Sequence, residues 1–126
     1  MQMIMGIAIG GALGSVARYL VNVSAGRMLG SDFPWGTMIV NVTGSFIMGG
    51  LISLMALRWS ASQEIRAFLA TGVLGGFTNF SAFSLDFATL VERRDFDLAL
   101  GCAAGSVELS LFAIFAGLWF CRTLLQ

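Results

Sequence analysis

"WGTMIVNVTGSFIMGGLISLMAL", residues 35–57, holds no charged side chain from end to end. A helix needs about 20 predominantly apolar residues to cross the hydrocarbon core of a bilayer, and this stretch supplies that length with nothing ionisable to solvate. Reading outward, three more stretches share its character: 3–23, interrupted by Arg18; 67–85, extended by a turn or two to 91; and 98–121, which contains Glu108. The connections "SAGRMLGSDFP", "RWSASQE" and "ERRDFD" are short and polar. The predicted fold is an all-α membrane protein, with residues 1–126 forming a single domain of four transmembrane helices. Trp35 and Trp59 bracket the second span as an interfacial aromatic belt would. A secretory signal needs a basic n-region. "MQMIM" has none and three spans follow, so the first span reads as a permanent helix.

Composition agrees. The 126 residues are 57% hydrophobic and 11% charged, against about 25% charged in soluble domains. Formal net charge is zero, all seven basic residues are arginine, and histidine is absent. A nucleic-acid-binding face needs clustered positive charge, and histidine catalysis or ligation needs histidine; the composition excludes both. Cys102 and Cys121 are separated by roughly 28 Å of helix, beyond the roughly 6 Å a disulfide allows between α-carbons, so two separate thiols are expected.

The arginines also bear on orientation. With four spans, Arg58, Arg66 and Arg122 fall on one side of the membrane, and Arg27, Arg93 and Arg94 on the other. Arginine and lysine bias orients short-loop membrane proteins, and here there is none. Either Arg18 snorkels to one side and tips the balance, or the chain inserts both ways and pairs with itself as an antiparallel homodimer. The second reading is favoured, because four short helices are thin for enclosing a polar pathway alone. Gly6, Gly10 and Gly14, and Gly101 and Gly105, make small-xxx-small steps that read as helix packing.

Helical spacing sorts the polar residues into stripes. Thr37, Asn41 and Ser45 share a face of the second helix, and Cys102, Ser106 and Ser110 a face of the fourth. On the third, Phe77, Phe80, Phe83 and Phe87 fall on one side with Ser84 nearby. A single membrane serine usually bonds back to its own backbone, but three stripes in one short chain mean either a polar helix seam or a pathway. Amide and hydroxyl groups can donate, and phenylalanine adds an electropositive ring edge. No ionisable group joins the stripes, where a fixed charge would bind an ion too tightly to release it. Such a lining suits a small anion rather than a cation.

"GGFTNFSAFS", residues 75–84, adds a backbone feature. Gly72, Gly75 and Gly76 weaken the third helix at mid-depth, and Thr78 or Asn79 is placed to cap a new start. The segment reads as two half-helices around a break, whose freed carbonyls can coordinate a cation while the second half favours an anion nearby. Irregular backbone at this depth must face protein or a cavity, which places the break at the centre of the assembly.

"GGALGSVARY" (10–19), "GTMIVNVTGSFIMG" (36–49) and "GGFTNFSAFS" (75–84) resemble, in order and spacing, the signature segments of the bacterial fluoride channels, the Fluc or CrcB family. The resemblance covers essentially the whole chain. It implies a dual-topology antiparallel homodimer in the bacterial cytoplasmic membrane, with two pores that pass fluoride passively outward. By motif position, Asn41 is the implied donor on the second helix, and Phe80 and Phe83 present ring edges to fluoride. Ser106 and Ser110 continue the track on the fourth helix. Thr37, Ser81 and Ser84 complete the implied polar lining. The backbone carbonyls of Gly75 and Thr78 from both subunits are implied to hold a structural sodium ion, and Arg18 is structural or near the pore mouth.

The family pattern reads "GFTTFSTFS", and this chain has Asn79 and Ala82 at two of its threonine positions. Asn79 keeps a polar cap; Ala82 deletes a hydroxyl beside the paired phenylalanines. The rival reading is a small dual-topology proton-coupled drug exporter, which requires a membrane carboxylate. Glu108 is its only mid-span candidate, and it falls on the face opposite Ser106 and Ser110. Two placements are open for Glu108: neutral at an interface, or paired with Arg18. A non-transporting assembly subunit, with the stripes as helix glue, is the third reading.

Overall fold

A computed structural model describes residues 2–30, 33–58, 60, 62–78 and 80–125. Trp59 and Asn79, both used above, lie outside the described residues. Most of the described residues are helical: α1 (Gln2–Leu29), α2 (Trp35–Leu57), α3 (Gln63–Arg66), a π-helical segment (Ala67–Leu74), α4 (Gly75–Phe77), α5 (Phe80–Glu92) and α6 (Phe96–Leu125). Among the described residues, four stretches are long and apolar enough to cross a membrane: Gln2–Leu29, Trp35–Leu57, Gln63–Glu92 and Phe96–Leu124. The protein is a multi-pass membrane protein.

Local chemistry sets the ends. Gly30, with φ of 87°, stops α1 in the left-handed region that glycine occupies at little cost. Pro34 (φ −78°, ψ 65°) makes an inverse γ-turn, closed by the Trp35 amide donating to the Phe33 carbonyl at 2.8 Å. The Pro34 carbonyl then accepts from Met38 and begins α2. The Ser62 hydroxyl caps α3 by accepting from the Ile65 amide at 3.3 Å. α5 closes in a Schellman motif: Arg94 takes a left-handed φ of 62° while Asp95 donates to Leu90 and Arg94 to Val91. That turn sends α6 back along the bundle.

Two pairings dominate the packing: α2 against α6, and α1 against the π-helical segment with α4. Both rest on glycines. A Cβ added at Gly14 would overlap the Val73 carbonyl, and one at Gly10 would lie 2.6 Å from the Phe68 carbonyl. Across the other pair, a Cβ at Gly49 would overlap the Ile114 carbonyl, and one at Gly117 the Phe46 carbonyl. Without a hydrophobic drive between helices in lipid, such close backbone approach supplies the van der Waals attraction. Gly10 and Gly14 thus pack as the sequence predicts, whereas Gly6 and Gly101 make only ordinary contacts at 3.7 Å.

The third span departs from simple α-helix twice. Its π-helical turns run along α1, and the Gly75 amide reaches the Ala70 carbonyl five residues back. α4 then ends at Thr78, whose backbone is extended (φ −92°, ψ 149°), and α5 starts at Phe80. The Thr78 amide and hydroxyl both donate backward to the Leu74 carbonyl, at 2.9 and 3.0 Å, so this side chain closes the preceding turn. Both cysteines are free, Cys102 buried and Cys121 half-buried, as their spacing requires.

Candidate functional site

The helix faces converge on a groove of about 330 Å³ between α2, α4–α5 and α6. Asn41, Gly44 and Ser45 line it from α2, Thr78, Phe80 and Phe83 from the third span, and Ser106 and Ser110 from α6. Among the described residues, no charged side chain lines it. Two separate sequence stripes are therefore the two walls of one space.

Two hydroxyls in this groove, both on α6, behave unlike the threonines of the spans. Thr78, Thr89 and Thr123 each donate to the carbonyl four residues back, at 2.8 to 3.0 Å. That is the ordinary resting place of a hydroxyl on a membrane helix. Ser106 and Ser110 do not adopt it: neither buried hydroxyl oxygen has a well-formed hydrogen bond among the described residues, and the nearest group to Ser106 is the weakly accepting Cys102 thiol one turn back. A buried unsatisfied hydroxyl costs about 1–3 kcal/mol, and these two stand at successive turns facing one groove, where both can donate to an acceptor placed there.

The phenylalanines divide. Phe80 and Phe83 stack with centroids 5.3 Å apart and planes at 21°. Phe83 is 8% exposed in the groove wall, whereas Phe80 is 75% exposed at its rim. Phe87 instead packs against the buried cluster of Leu90, Ala99 and Cys102. Phe77 abuts Gly44 and Gly14. The groove uses half of the aromatic stripe, and packing uses the rest.

Other predicted residues lie elsewhere. Ser81 and Ser84 are exposed and do not line the groove. Gly75 is exposed beside the extended Thr78. Arg18 is half-buried on α1, and no ion pair joins it to Glu108; α1 and α6 do not touch. Glu108 is exposed on the outer face of α6, away from the groove.

Thr37 lies in a second cavity of about 360 Å³, with Asn22, Thr89 and Arg93. There its hydroxyl donates to Asp86 Oδ2 at 2.6 Å. Glu108 is therefore not the only carboxylate within the spans. Asp86 was legible as an acid inside the extended third stretch, where ionisable groups are rare and paired. Hydrogen bonds to charged groups contribute about 1.5–3 kcal/mol, and this pair is part-buried. Thr37→Val keeps the shape, deletes the donor, and is expected to lower the thermal midpoint in detergent by several degrees, while Thr37→Ser restores it. An unchanged midpoint in Thr37→Val contradicts the assignment.

Residues 5–118 match the family described as CrcB-like protein, Camphor Resistance (CrcB). The fluoride-specific ion channel FluC of Rhodospirillum centenum is 55% identical over 123 residues, covering 98% of each chain. That of Chelativorans sp. is 51% identical over 125 residues, covering 99% of this chain and 100% of the relative. That of Caulobacter sp. is 55% identical over 117 residues, covering 92% and 91%. The match runs through both walls of the groove and the segment around Thr78, and the chain belongs to the CrcB family.

Proposed function

We propose that the chain is a fluoride-selective channel of the bacterial cytoplasmic membrane, working as an antiparallel dual-topology homodimer with two pores. The observation that carries the reading is the pair of unpartnered hydroxyls, Ser106 and Ser110, facing a groove without charge. Fluoride is small and strongly hydrated, and its dehydration must be offset by short hydrogen bonds from neutral donors. Asn41, Ser45 and the two bare serines offer such donors on opposite walls. The electropositive ring edges of Phe80 and Phe83 extend the lining. Hydrogen fluoride crosses membranes as the neutral acid and ionises in a less acidic cell, so a passive anion path lets the membrane potential drive fluoride out.

A second copy fits the protomer's shape. Phe80 stands 75% exposed at the groove rim, and a partner laid over that side would convert groove to pore. The extended backbone of Thr78, between α4 and α5, supports two half-helices in the third span. The last carbonyls of a helix lack intrahelical donors, and hard cations take oxygen ligands. The Gly75 and Thr78 carbonyls of two copies thus form a set that fits sodium, which would supply a fixed positive charge joining the copies.

The drug-exporter reading has less support, because Glu108 lies outside the groove. Expression in a bacterium lacking its own fluoride exporter is expected to restore growth at a fluoride concentration that arrests the parent. Glu108→Gln should restore growth equally. Failure of the unaltered chain to rescue refutes the channel; loss of rescue in Glu108→Gln returns that carboxylate to the centre.

A further inference from the structure

The donor track in the groove stops abruptly at one end. On α6 the stripe advances by four residues from Cys102 through Ser106 and Ser110, and its next position is Ile114. Ile114 lines the groove one turn past Ser110, and Met48, one turn past Gly44 on α2, lines it as well. Immediately beyond, α2 and α6 come into backbone contact. A Cβ on Gly49 would overlap the Ile114 carbonyl, and one on Gly117 would overlap the Phe46 carbonyl. The next hydroxyl past the contact, Ser53, is buried and donates to the Leu118 carbonyl at 3.1 Å. From Ile114 to the end of α6 there remains about 16 Å of helix, so this end lies well inside the membrane.

We infer that Ile114, with Met48, forms an apolar collar that a permeating anion must pass stripped of donors, and that this step sets the conduction rate of this chain. The inference rests on the channel reading above. An anion held by the Ser110 hydroxyl finds no donor at the following turn, because the stripe position that would supply one carries a hydrocarbon. The helices cannot part there to admit water without breaking the glycine contacts. Apolar constrictions of this kind gate by excluding water, and a single donor at the collar relieves the step.

The test compares Ile114→Ser with Ile114→Ala, which open nearly the same space and differ by one hydroxyl. Each protein is reconstituted in potassium-fluoride vesicles, and release is followed with a fluoride electrode after potassium ionophore is added. The serine variant is expected to release fluoride about tenfold faster than the alanine variant, and faster than the unaltered chain. Equal rates in the two variants, with the unaltered chain conducting, overturn the collar and leave the channel reading intact. Fluoride retention by the unaltered chain overturns the channel reading and the collar with it. Ile114→Val, a near-isosteric apolar change that preserves packing, is expected to stay within about twofold of the unaltered rate, and a large increase there also overturns the collar.

Discussion

Replacing Ser106 and Ser110 together by alanine slows fluoride release from vesicles by about a hundredfold or more, while raising the protein's thermal midpoint. The two effects have opposite signs for one reason. In the resting protomer both hydroxyls are buried without partners, and removing a buried unsatisfied group recovers about 1–3 kcal/mol. During conduction the same hydroxyls are donors to an anion, and a hydrogen bond to a charged group contributes about 1.5–3 kcal/mol. Losing two from the path therefore raises the barrier by several kcal/mol, each 1.36 of which is tenfold in rate. Helix glue makes a different forecast: if the serines only joined helices, the double variant would be less stable and would conduct normally. Vesicle flux and a melting curve in detergent, measured on the same preparation, separate the two.

Gly117→Val abolishes the folded protein in detergent. The added Cβ would overlap the Phe46 carbonyl and lie 3.0 Å from the Gly50 amide nitrogen. Neither is a side chain that can swing away, so α2 and α6 must separate along their whole contact. Overpacking a close interface costs about 1–3 kcal/mol and sometimes more, and here it also spoils the reciprocal Gly49–Ile114 approach. The expected outcome is loss of the monodisperse peak on size exclusion. Gly26→Ala is the control, since a Cβ there meets nothing within 4 Å and alanine favours helix by about 1 kcal/mol. A monodisperse, thermally unaltered Gly117→Val protein contradicts the α2–α6 contact on which the groove depends.

The spans were legible because the bilayer imposes length and apolarity on them. The charge-free run 35–57 is α2 to the residue. The ends of the others were not, because helices continue past the apolar stretch until local chemistry stops them. "SAGRML" reads as a polar connection yet completes α1, whose stop is Gly30. The π-helical turns of 67–74 left no sequence trace. A π-register and an α-register suit the same oily residues, and close packing against Gly10 and Gly14 accompanies the former. The tight Gly49–Gly117 crossing was missed for a related reason. Small-residue steps are legible along a single helix, whereas this contact takes one glycine from each of two.

The groove was legible in its stripes. Asn41, Ser45, Ser106 and Ser110 meet because four-residue spacing fixes a helix face whatever the tertiary detail. The aromatic stripe misled in part: Phe77, Phe80, Phe83 and Phe87 share a side of the third span, but Thr78 is extended between the first and the others. Thr37 follows the stripe in sequence yet turns to Asp86, a partner 49 residues away that spacing cannot reveal.

Fluoride against chloride release from vesicles of the purified, unaltered chain tests the account most directly. Vesicles loaded with potassium fluoride or potassium chloride are diluted into anion-free buffer, and potassium ionophore is added to clamp the potential. Rapid fluoride release with chloride retained is the predicted result, from neutral donors lining a groove without charge. Retention of both anions, or equal release of both, contradicts it.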